Sequence, residues 1–268
     1  MGTQGYTLAE LCITAAAEAW RHDGEVLATG IGLVPRLAAS LAKRTFNPAL
    51  LMTDGECMLV AEPVPVGPRK NGYVPSFEGW MPYARTFDLL WGGKRHAMVG
   101  PVQVDRYGQT NISLVGEYAR PKAAFLGVRG FPGNTINHAN SMFVPNHSAR
   151  VFVAGEVDMV GGVGYNPARW PDGRKPAGLD LRIIVTDLAV LDFQGPDHQI
   201  RVASLHPGVS FAQAQENTGF PLAHPTSIPV TRAPTAEQLD IVRTVLDPHD
   251  LRASVFKGNP PGVRQGAA

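Results

Sequence analysis

Residues 25–53, EVLATGIGLVPRLAASLAKRTFNPALLMT, decide the fold class. Residues 25–29 predict a strand, Pro35 suits the first turn of a helix that carries Leu37 and Leu41, and residues 49–53 predict a second strand. A strand, a glycine turn, a helix and a strand in this order predict parallel pairing through a right-handed crossover. We therefore expect an α/β protein whose ligands bind at the carboxyl ends of its parallel strands.

The rest of the chain predicts more elements of the same class. Two capping boxes, Thr7 with Glu10 and Thr235 with Gln238, each precede apolar residues at helical spacing, and a further helix is expected over residues 81–91. Strands are expected in six apolar runs, at residues 96–99, 124–128, 150–154, 181–186, 189–193 and 199–205. The last three runs are close enough in sequence to pair antiparallel, so we expect a mainly parallel sheet with additional antiparallel strands.

Composition limits the class of ligand. The 268 residues carry 24 basic against 23 acidic side chains, a net charge of +1, which gives no electrostatic footprint for nucleic acid or an anionic membrane. Cys12 and Cys57 form no CxxC pair, so we expect no metal site and a reducing compartment. Because the sequence shows neither a leader pattern nor an apolar run of about 20 residues, we expect a cytoplasmic protein. One domain over residues 1–257 and a flexible tail over residues 258–268 are predicted.

The turn TGIGLVP places Gly30, Ile31 and Gly32 between a strand and a helix. Glycines let a ligand approach the N–H groups at the positive end of a helix, so a phosphate, a carboxylate or a thioester oxygen is a candidate ligand. A dinucleotide fingerprint is one alternative, because Asp54 follows about 20 residues later, although Pro35 stands where the third glycine belongs. The other alternative is a tight turn that binds no ligand.

A pair of carboxylates follows the second predicted strand. In LMTDGEC, residues 51–57, Asp54 and Glu56 flank Gly55. Active-site groups of α/β proteins gather at the carboxyl ends of parallel strands, so both acids are candidate catalytic residues. Exposed loop acids are the alternative interpretation.

A polar stretch, RGFPGNTINHAN, spans residues 129–140. Asn137 and His138 are candidate catalytic residues, because an amide and an imidazole can orient a carbonyl group or transfer a proton. Gly133 and Asn134, in the same stretch, are candidate substrate-binding residues. A hydrogen-bonded structural histidine is the alternative. The sequence contains no HExxH, GxSxG or P-loop motif, which removes support for the commonest hydrolase and NTPase classes.

Five segments in order resemble the beta subunit of family I CoA transferases. They are GIGLVP at 30–35, VDRYGQTNIS at 104–113, SLHPGVS at 204–210, TGFPL at 218–222 and PTAEQL at 234–239. The resemblance implies a three-layer α/β/α fold, an acyl-CoA substrate bound at the GIG turn, and no cofactor beyond the CoA of that substrate. It also implies a homologous alpha subunit, with which such chains form α2β2 heterotetramers.

The chain departs from that family at its nucleophile. The transferases attack the acyl-CoA with a glutamate after the second strand, where this sequence has Thr53 or Asp54, depending on register. TDGE at 53–56, GNTINHAN at 133–140 and GPDH at 195–198 resemble instead the beta subunits of actinobacterial steroid-ring hydrolases. That resemblance implies hydrolytic, retro-Claisen-type C–C cleavage of a CoA thioester, with the principal catalytic acid supplied by the alpha subunit.

The resemblance leaves several hypotheses open. In the first, N–H groups near Gly30 and Gly32 stabilise enolate or oxyanion charge, while Asn137 and His138 orient the substrate. In the second, the chain is a CoA transferase subunit with Asp54 or Glu56 as a substitute nucleophile. In the third, it is a non-catalytic partner that stabilises an active alpha subunit. A dinucleotide-binding module is the fourth.

Overall fold

The computed structural model describes residues 5–54, 58–125, 127 and 130–256. Its α-helices are α1 (Leu8–Ala17), α2 (Leu33–Arg44), α3 (Tyr83–Trp91), α4 (Phe131–Asn137), α5 (Phe211–Glu216) and α6 (Ala236–Asp240). Its strands are β1 (Leu27–Gly30), β2 (Met58–Val60), β3 (Phe77–Trp80), β4 (Arg95–Val99), β5 (Gln103–Val104), β6 (Thr110–Asn111), β7 (Leu114–Val115), β8 (Ala123–Ala124), β9 (Ala139–Val144), β10 (Asp180–Thr186), β11 (Ala189–Asp192) and β12 (Arg201–Leu205). Two compact units result. The first holds residues up to 89, residues 94–98 and those from 232 on, and the second holds residues 90–93 and 99–231.

The first unit is built on the predicted strand, turn and helix. β1 pairs in parallel with β4, with Leu27 opposite Arg95. α2 packs against β1, and α1 packs against α2. Leu11, Leu37 and Leu41 are fully buried or nearly so, because the apolar stripes of the two helices meet each other and the strand. β2 and β3 form a separate antiparallel pair.

Both predicted capping boxes are present in the first unit. The Thr7 hydroxyl accepts a hydrogen bond from the Glu10 N–H, and a Glu10 carboxylate oxygen accepts one from the Thr7 N–H. Thr235 and Gln238 repeat this arrangement at α6, which continues as a π-helical turn over Ile241–Leu246. These bonds satisfy N–H groups that the first helical turn leaves without intrahelical partners.

A buried carboxylate joins the two ends of the chain in this unit. Glu10 lies 2.7 Å from Nε of Arg243 and 3.2 Å from Nε of Arg252. Burial by itself raises the pKa of Glu10, but the hydrogen bonds from Arg243 and Thr7 outweigh it, so the pKa is lowered. Glu10 is therefore an ionised partner of two arginines near the end of the described chain.

The second unit contains the mixed part of the predicted sheet. β9 and β10 pair in parallel, with Ala139 opposite Asp180. β10, β11 and β12 pair antiparallel in sequence order. The predicted antiparallel strands are confirmed, and their inward residues, such as Ile184 and Leu191, are fully buried.

Some local predictions were wrong. Residues 49–53 form no regular strand, although Leu51 exchanges backbone hydrogen bonds of 2.9 Å with Val26 and Ala28. Residues 150–154 form a turn with one isolated parallel bridge, between Val104 and Phe152, rather than a regular strand. The carbonyl of Ser148 accepts hydrogen bonds from the N–H groups of Val151 and Phe152 and so forms the turn. The polar stretch, for which no helix or strand was predicted, forms helix α4 over Phe131–Asn137 and begins β9 at Ala139.

Two predictions concern the extent of the chain and its domains. The single domain over residues 1–257 stays a prediction. The predicted tail over residues 258–268 lies outside the described residues. None of the helices in the described ranges combines the length and the apolar character that crossing a bilayer requires.

Candidate substrate site

The predicted glycine turn joins β1 to α2 in the first unit. A Cβ atom built on Gly30 would lie 2.4 Å from the backbone C and O atoms of Pro35, so no larger residue fits there. Gly32 precedes α2 with φ +108°, a conformation that favours glycine. Ile31 between them is 53% exposed. The backbone of the turn is therefore accessible at the positive end of a 12-residue helix, as an anion site requires.

Charged side chains gather beside this turn. Arg36, in the first turn of α2, is half-buried, as is Asp54, while Arg69 is exposed. Burial holds the pKa of Arg36 below its ordinary value, the charge of Arg69 adds to that effect, and Asp54 opposes it. Among the described residues Arg36 forms no ion pair within 4.0 Å. Glu56, the other candidate acid, lies outside the described residues.

Arg36 is a functional candidate that sequence reasoning missed. A cation in the first turn of a helix is disfavoured by the helix dipole, so its position there calls for an anionic partner. The position of Arg36 directly after the glycine turn is the sequence signal that could have identified it. The arrangement of N–H groups and a half-buried guanidinium suits a phosphate or carboxylate.

The other predicted site residues lie on α4 and its end, in the second unit. The side-chain amide of Asn137 donates to the carbonyl of Gly133 at 2.6 Å, one turn earlier. Asn140 Nδ2 donates to the carbonyls of His138 and Asn134 at 2.7 and 3.1 Å. These bonds hold the end of the helix to the start of β9, so the side-chain amides of Asn137 and Asn140 have structural partners.

His138 is the C-terminal cap of α4 and is 2% exposed. Its Nδ1 atom lies 2.9 Å from the carbonyl oxygen of Ala139. The structure brings Gly133, Asn134, Asn137 and His138 together within one helix and its cap. Gly30, Ile31, Gly32 and Asp54 lie in the first unit. The catalytic and binding roles of both groups stay predictions.

The segment VDRYGQTNIS forms a buried turn held by its own polar groups. Asp105 accepts hydrogen bonds from the N–H groups of Tyr107 and Gln109 at 3.0 and 3.1 Å. Burial raises the pKa of Asp105 to about 6, against these hydrogen bonds, which lower it. Asn111 donates to Gln103 at 2.7 Å and accepts from the Ser113 N–H at 2.9 Å. The segment therefore shapes the core of the second unit.

The histidine of SLHPGVS is also a core residue. His206 is buried, and its ring nitrogens lie 2.8 Å from the Thr186 carbonyl and 2.9 Å from the Thr231 hydroxyl. His147, also buried, contacts the hydroxyls of Thr186 and Thr218 at 3.0 and 2.9 Å. Burial lowers the pKa of His147 to about 4. In the described ranges no group of three or more His, Cys, Asp or Glu side chains is arranged to hold a metal ion.

Comparison with known proteins identifies the relatives of this chain. No family model matches. The cholesterol ring-cleaving hydrolase IpdB subunit of Mycobacterium tuberculosis is 44% identical over 246 residues, 92% of this chain and 97% of that protein. A 3-oxoadipate CoA-transferase subunit of Pseudomonas knackmussii is 31% identical, covering 90% of this chain and 93% of that protein.

A solved structure gives the same result for the fold. The crystal structure of Rhodococcus jostii IpdAB contains a chain with 42% identity and a TM-score of 0.85, covering 93% of this chain and 98% of that one. The predicted α/β, CoA transferase-like fold class is thereby confirmed. The chain belongs to the family of cholesterol ring-cleaving hydrolase IpdB subunits, which has a CoA transferase-like fold.

Proposed function

We propose that the chain is the beta subunit of a heteromeric hydrolase that opens a carbon ring of a steroid-derived CoA thioester. The observation that carries this proposal is its identity of 44% with a ring-cleaving hydrolase subunit, against 31% with a transferase subunit, each over at least nine-tenths of the chain. CoA is part of the substrate, and no further cofactor or metal is proposed. A cytoplasmic location belongs to the same proposal.

The proposed reaction is a hydrolytic retro-Claisen cleavage. Water adds to a ring carbonyl, the adjacent C–C bond breaks, and its electron pair passes to the carbon next to the thioester as an enolate. Protonation of that carbon completes ring opening, so the product contains one water more than the substrate and retains its CoA. N–H groups at Gly30 and Gly32 would stabilise the developing oxyanion or enolate charge. Asn137 and His138 would orient the substrate, and the principal catalytic acid would come from the alpha subunit.

The residue at the family's nucleophile position supports water rather than a carboxylate as the nucleophile. The family's glutamate position is occupied by Thr53 or Asp54, and an aspartate is one methylene shorter. A displacement near 1 Å can cost about 100-fold in rate.

An exposed aromatic face supports the proposed alpha partner. Trp80 at the end of β3 is 68% exposed, and Tyr83 and Phe87 on α3 are 71% and 47% exposed. α3, described over its full length, buries only Leu90. Tyr83 and Phe87 are in contact, and exposed aromatic side chains grouped in this way mark an interaction site. We propose that the homologous alpha subunit covers it in an α2β2 heterotetramer.

The decisive experiment co-expresses the chain with its alpha subunit and supplies a ring-containing, steroid-derived CoA thioester. Mass spectrometry in ordinary and 18O-labelled water follows the products, with and without an acceptor carboxylic acid. We expect ring opening with one labelled oxygen and retained CoA. Movement of CoA to the acceptor would establish the transferase alternative instead. Full ring-opening activity of the alpha subunit alone would leave this chain a non-catalytic partner.

A further inference from the structure

A pocket with a volume of about 600 Å³ is lined by residues of the second unit alone. Its size falls within the range of small-molecule sites, roughly 300–1,000 Å³. The walls combine apolar and cationic side chains. We call this cavity the Ile136 pocket. Its lining includes Pro132, Ile136, Val160, Val163, Arg169, Arg174 and Lys175.

One apolar wall is a face of α4. Pro132 and Ile136 are four positions apart, so they lie on the same side of the helix. Ile136 keeps 39% of its surface exposed, although the backbone around it is tightly packed. A Cβ atom on Gly178 would lie 2.4 Å from the Ile136 carbonyl oxygen, so the chain after the pocket closes directly on this helix.

A second apolar part of the lining, with Val160 and Val163, is fixed to the same helix. The Val163 N–H donates to the hydroxyl of Thr135 at 3.1 Å. A Cβ atom on Gly162 would lie 2.2 Å from the Thr110 hydroxyl oxygen, so the loop has no room to shift toward the core. The pocket is therefore formed before any ligand arrives, which lowers the entropic cost of binding.

The cationic side chains at the pocket differ in whether they form an ion pair. Arg169 is held in a two-point ion pair by Glu156, which also accepts from the side-chain amide of Gln109 at 3.0 Å. Neither Arg174 nor Lys175 forms an ion pair within the described chain. Lys175 Nζ lies 3.5 Å from the carbonyl oxygen of Leu179 and 5.7 Å from the centroid of the Tyr165 ring, and both of these groups are neutral. Two cations without an anionic partner among the described residues therefore lie beside the apolar side chains of the pocket.

We propose that the Ile136 pocket binds an apolar group that carries an anion, with the apolar part against Ile136 and Val163 and the anion at Arg174 and Lys175. The proposal rests on the proposed function, because it takes the ligand to be an acyl-CoA thioester. Two parts of such a thioester offer this chemistry. One is the acyl group with a carboxylate substituent, and the other is the pantetheine arm with the CoA phosphates.

Binding measurements with stable thioethers test the proposal on the complex of the chain with its alpha subunit. Three probes are titrated by calorimetry: the cyclohexylmethyl thioether of CoA, the carboxycyclohexylmethyl thioether of CoA, and the carboxycyclohexylmethyl thioether of pantetheine. The variant is Arg174→Gln with Lys175→Gln. Its control is Arg120→Gln, which removes an exposed cation of the same unit outside the pocket.

We expect the double variant to raise Kd at least about tenfold, as loss of charge-assisted hydrogen bonds implies. If the double variant binds the pantetheine probe more weakly than the wild type does, the anion is the acyl carboxylate. If its affinity falls equally for both CoA probes and is unchanged for the pantetheine probe, the anion is a CoA phosphate. Equal Kd values in the double variant and in Arg120→Gln, for all three probes, would overturn the proposal.

Substitutions of Ile136 test the proposed contact with the apolar part of the ligand. Ile136→Trp should fill the pocket and weaken every probe, while Ile136→Val should bind as the wild type does. Unchanged binding by Ile136→Trp in an assembled complex would also overturn the proposal. These binding measurements need no turnover. A complex that binds the probes through Arg174 and Lys175 but opens no ring would therefore disprove the proposed function while supporting the proposed binding site.

Discussion

The side-chain amide of Gln109 donates to Oδ2 of the buried Asp105 at 2.5 Å. The same amide nitrogen lies 3.0 Å from Oε1 of Glu156, which holds Arg169 at the edge of the Ile136 pocket. A turn in the core of the second unit is thereby connected through two side chains to the wall of a ligand pocket. Because the hydrogen bonds of such a network strengthen one another, the buried Asp105 is the first position to test.

Replacing Asp105 by Asn should destabilise the protein by about 1–3 kcal/mol at neutral pH, since one buried donor then loses its acceptor. The folded pKa of Asp105 is raised from 3.8 to about 6, so its protonation stabilises the fold at low pH and that contribution is lost as pH rises from about 4 to about 6. The difference between wild type and variant should therefore be larger near pH 4 than near pH 7. Urea unfolding across this range measures it, and a difference independent of pH would contradict the assignment.

His147 should make the fold less stable in acid. Its folded pKa is lowered from 6.5 to about 4, so the unfolded chain binds a proton more readily in that interval. The free energy of unfolding contributed by this residue therefore falls as pH drops from about 6.5 to about 4. In His147→Gln this slope should disappear, as urea unfolding at several pH values would show. Parallel curves for wild type and variant would contradict the prediction.

The glycine turn tolerates no side chain at Gly30. We expect Gly30→Ala to lower both stability and activity, by about 1–3 kcal/mol in stability, because the new methyl group meets the backbone of α2 rather than a movable side chain. Thermal unfolding measures the loss. Gly155→Ala is the matched control, since a Cβ atom there has nothing within 4 Å, and it should behave as wild type. Equal melting temperatures for the two variants would contradict the geometry.

Arg36 should matter for substrate binding more than for folding. Arg36→Gln removes a half-buried cation that faces Arg69, so stability should be unchanged or slightly increased. The KM for the CoA thioester should rise about tenfold or more, as loss of a charge-assisted hydrogen bond predicts. Steady-state kinetics and urea unfolding of the same preparation separate the two effects. Reduced stability with an unchanged KM would make Arg36 a structural residue.

The exposed aromatic face should govern assembly. Tyr83→Ser with Phe87→Ser removes a T-shaped aromatic pair with a centroid distance of 5.7 Å, and should abolish or strongly weaken the complex with the alpha subunit. Both side chains are exposed, so the isolated chain should lose little stability. Light scattering after size-exclusion chromatography measures assembly. Tyr118→Ser, at an exposed aromatic of the second unit, is the control, and equal assembly by both variants would count against this face.

Much of the fold was predictable because it depends on neighbours in sequence. The strand, turn and helix around Gly30, the capping box at Thr7 and the antiparallel strands after residue 180 are each set by local spacing, steric limits or short connections. The regions 49–53 and 150–154 were not predictable in the same way. Apolar β-formers there take irregular conformations, because backbone bonds to distant or turn-forming partners decide the outcome.

The family, the order of the main elements and the glycine turn follow from the amino-acid sequence alone, because motifs and periodicity report local backbone requirements. The tertiary structure alone decided which charged side chains come together. Asp54 and Arg69 are far from Arg36 in the chain, yet the charges of both act on Arg36. Ile136 and Arg174 line one pocket across an intervening loop. Long-range packing sets such distances, and electrostatic and binding energies depend on distance and burial rather than on sequence order.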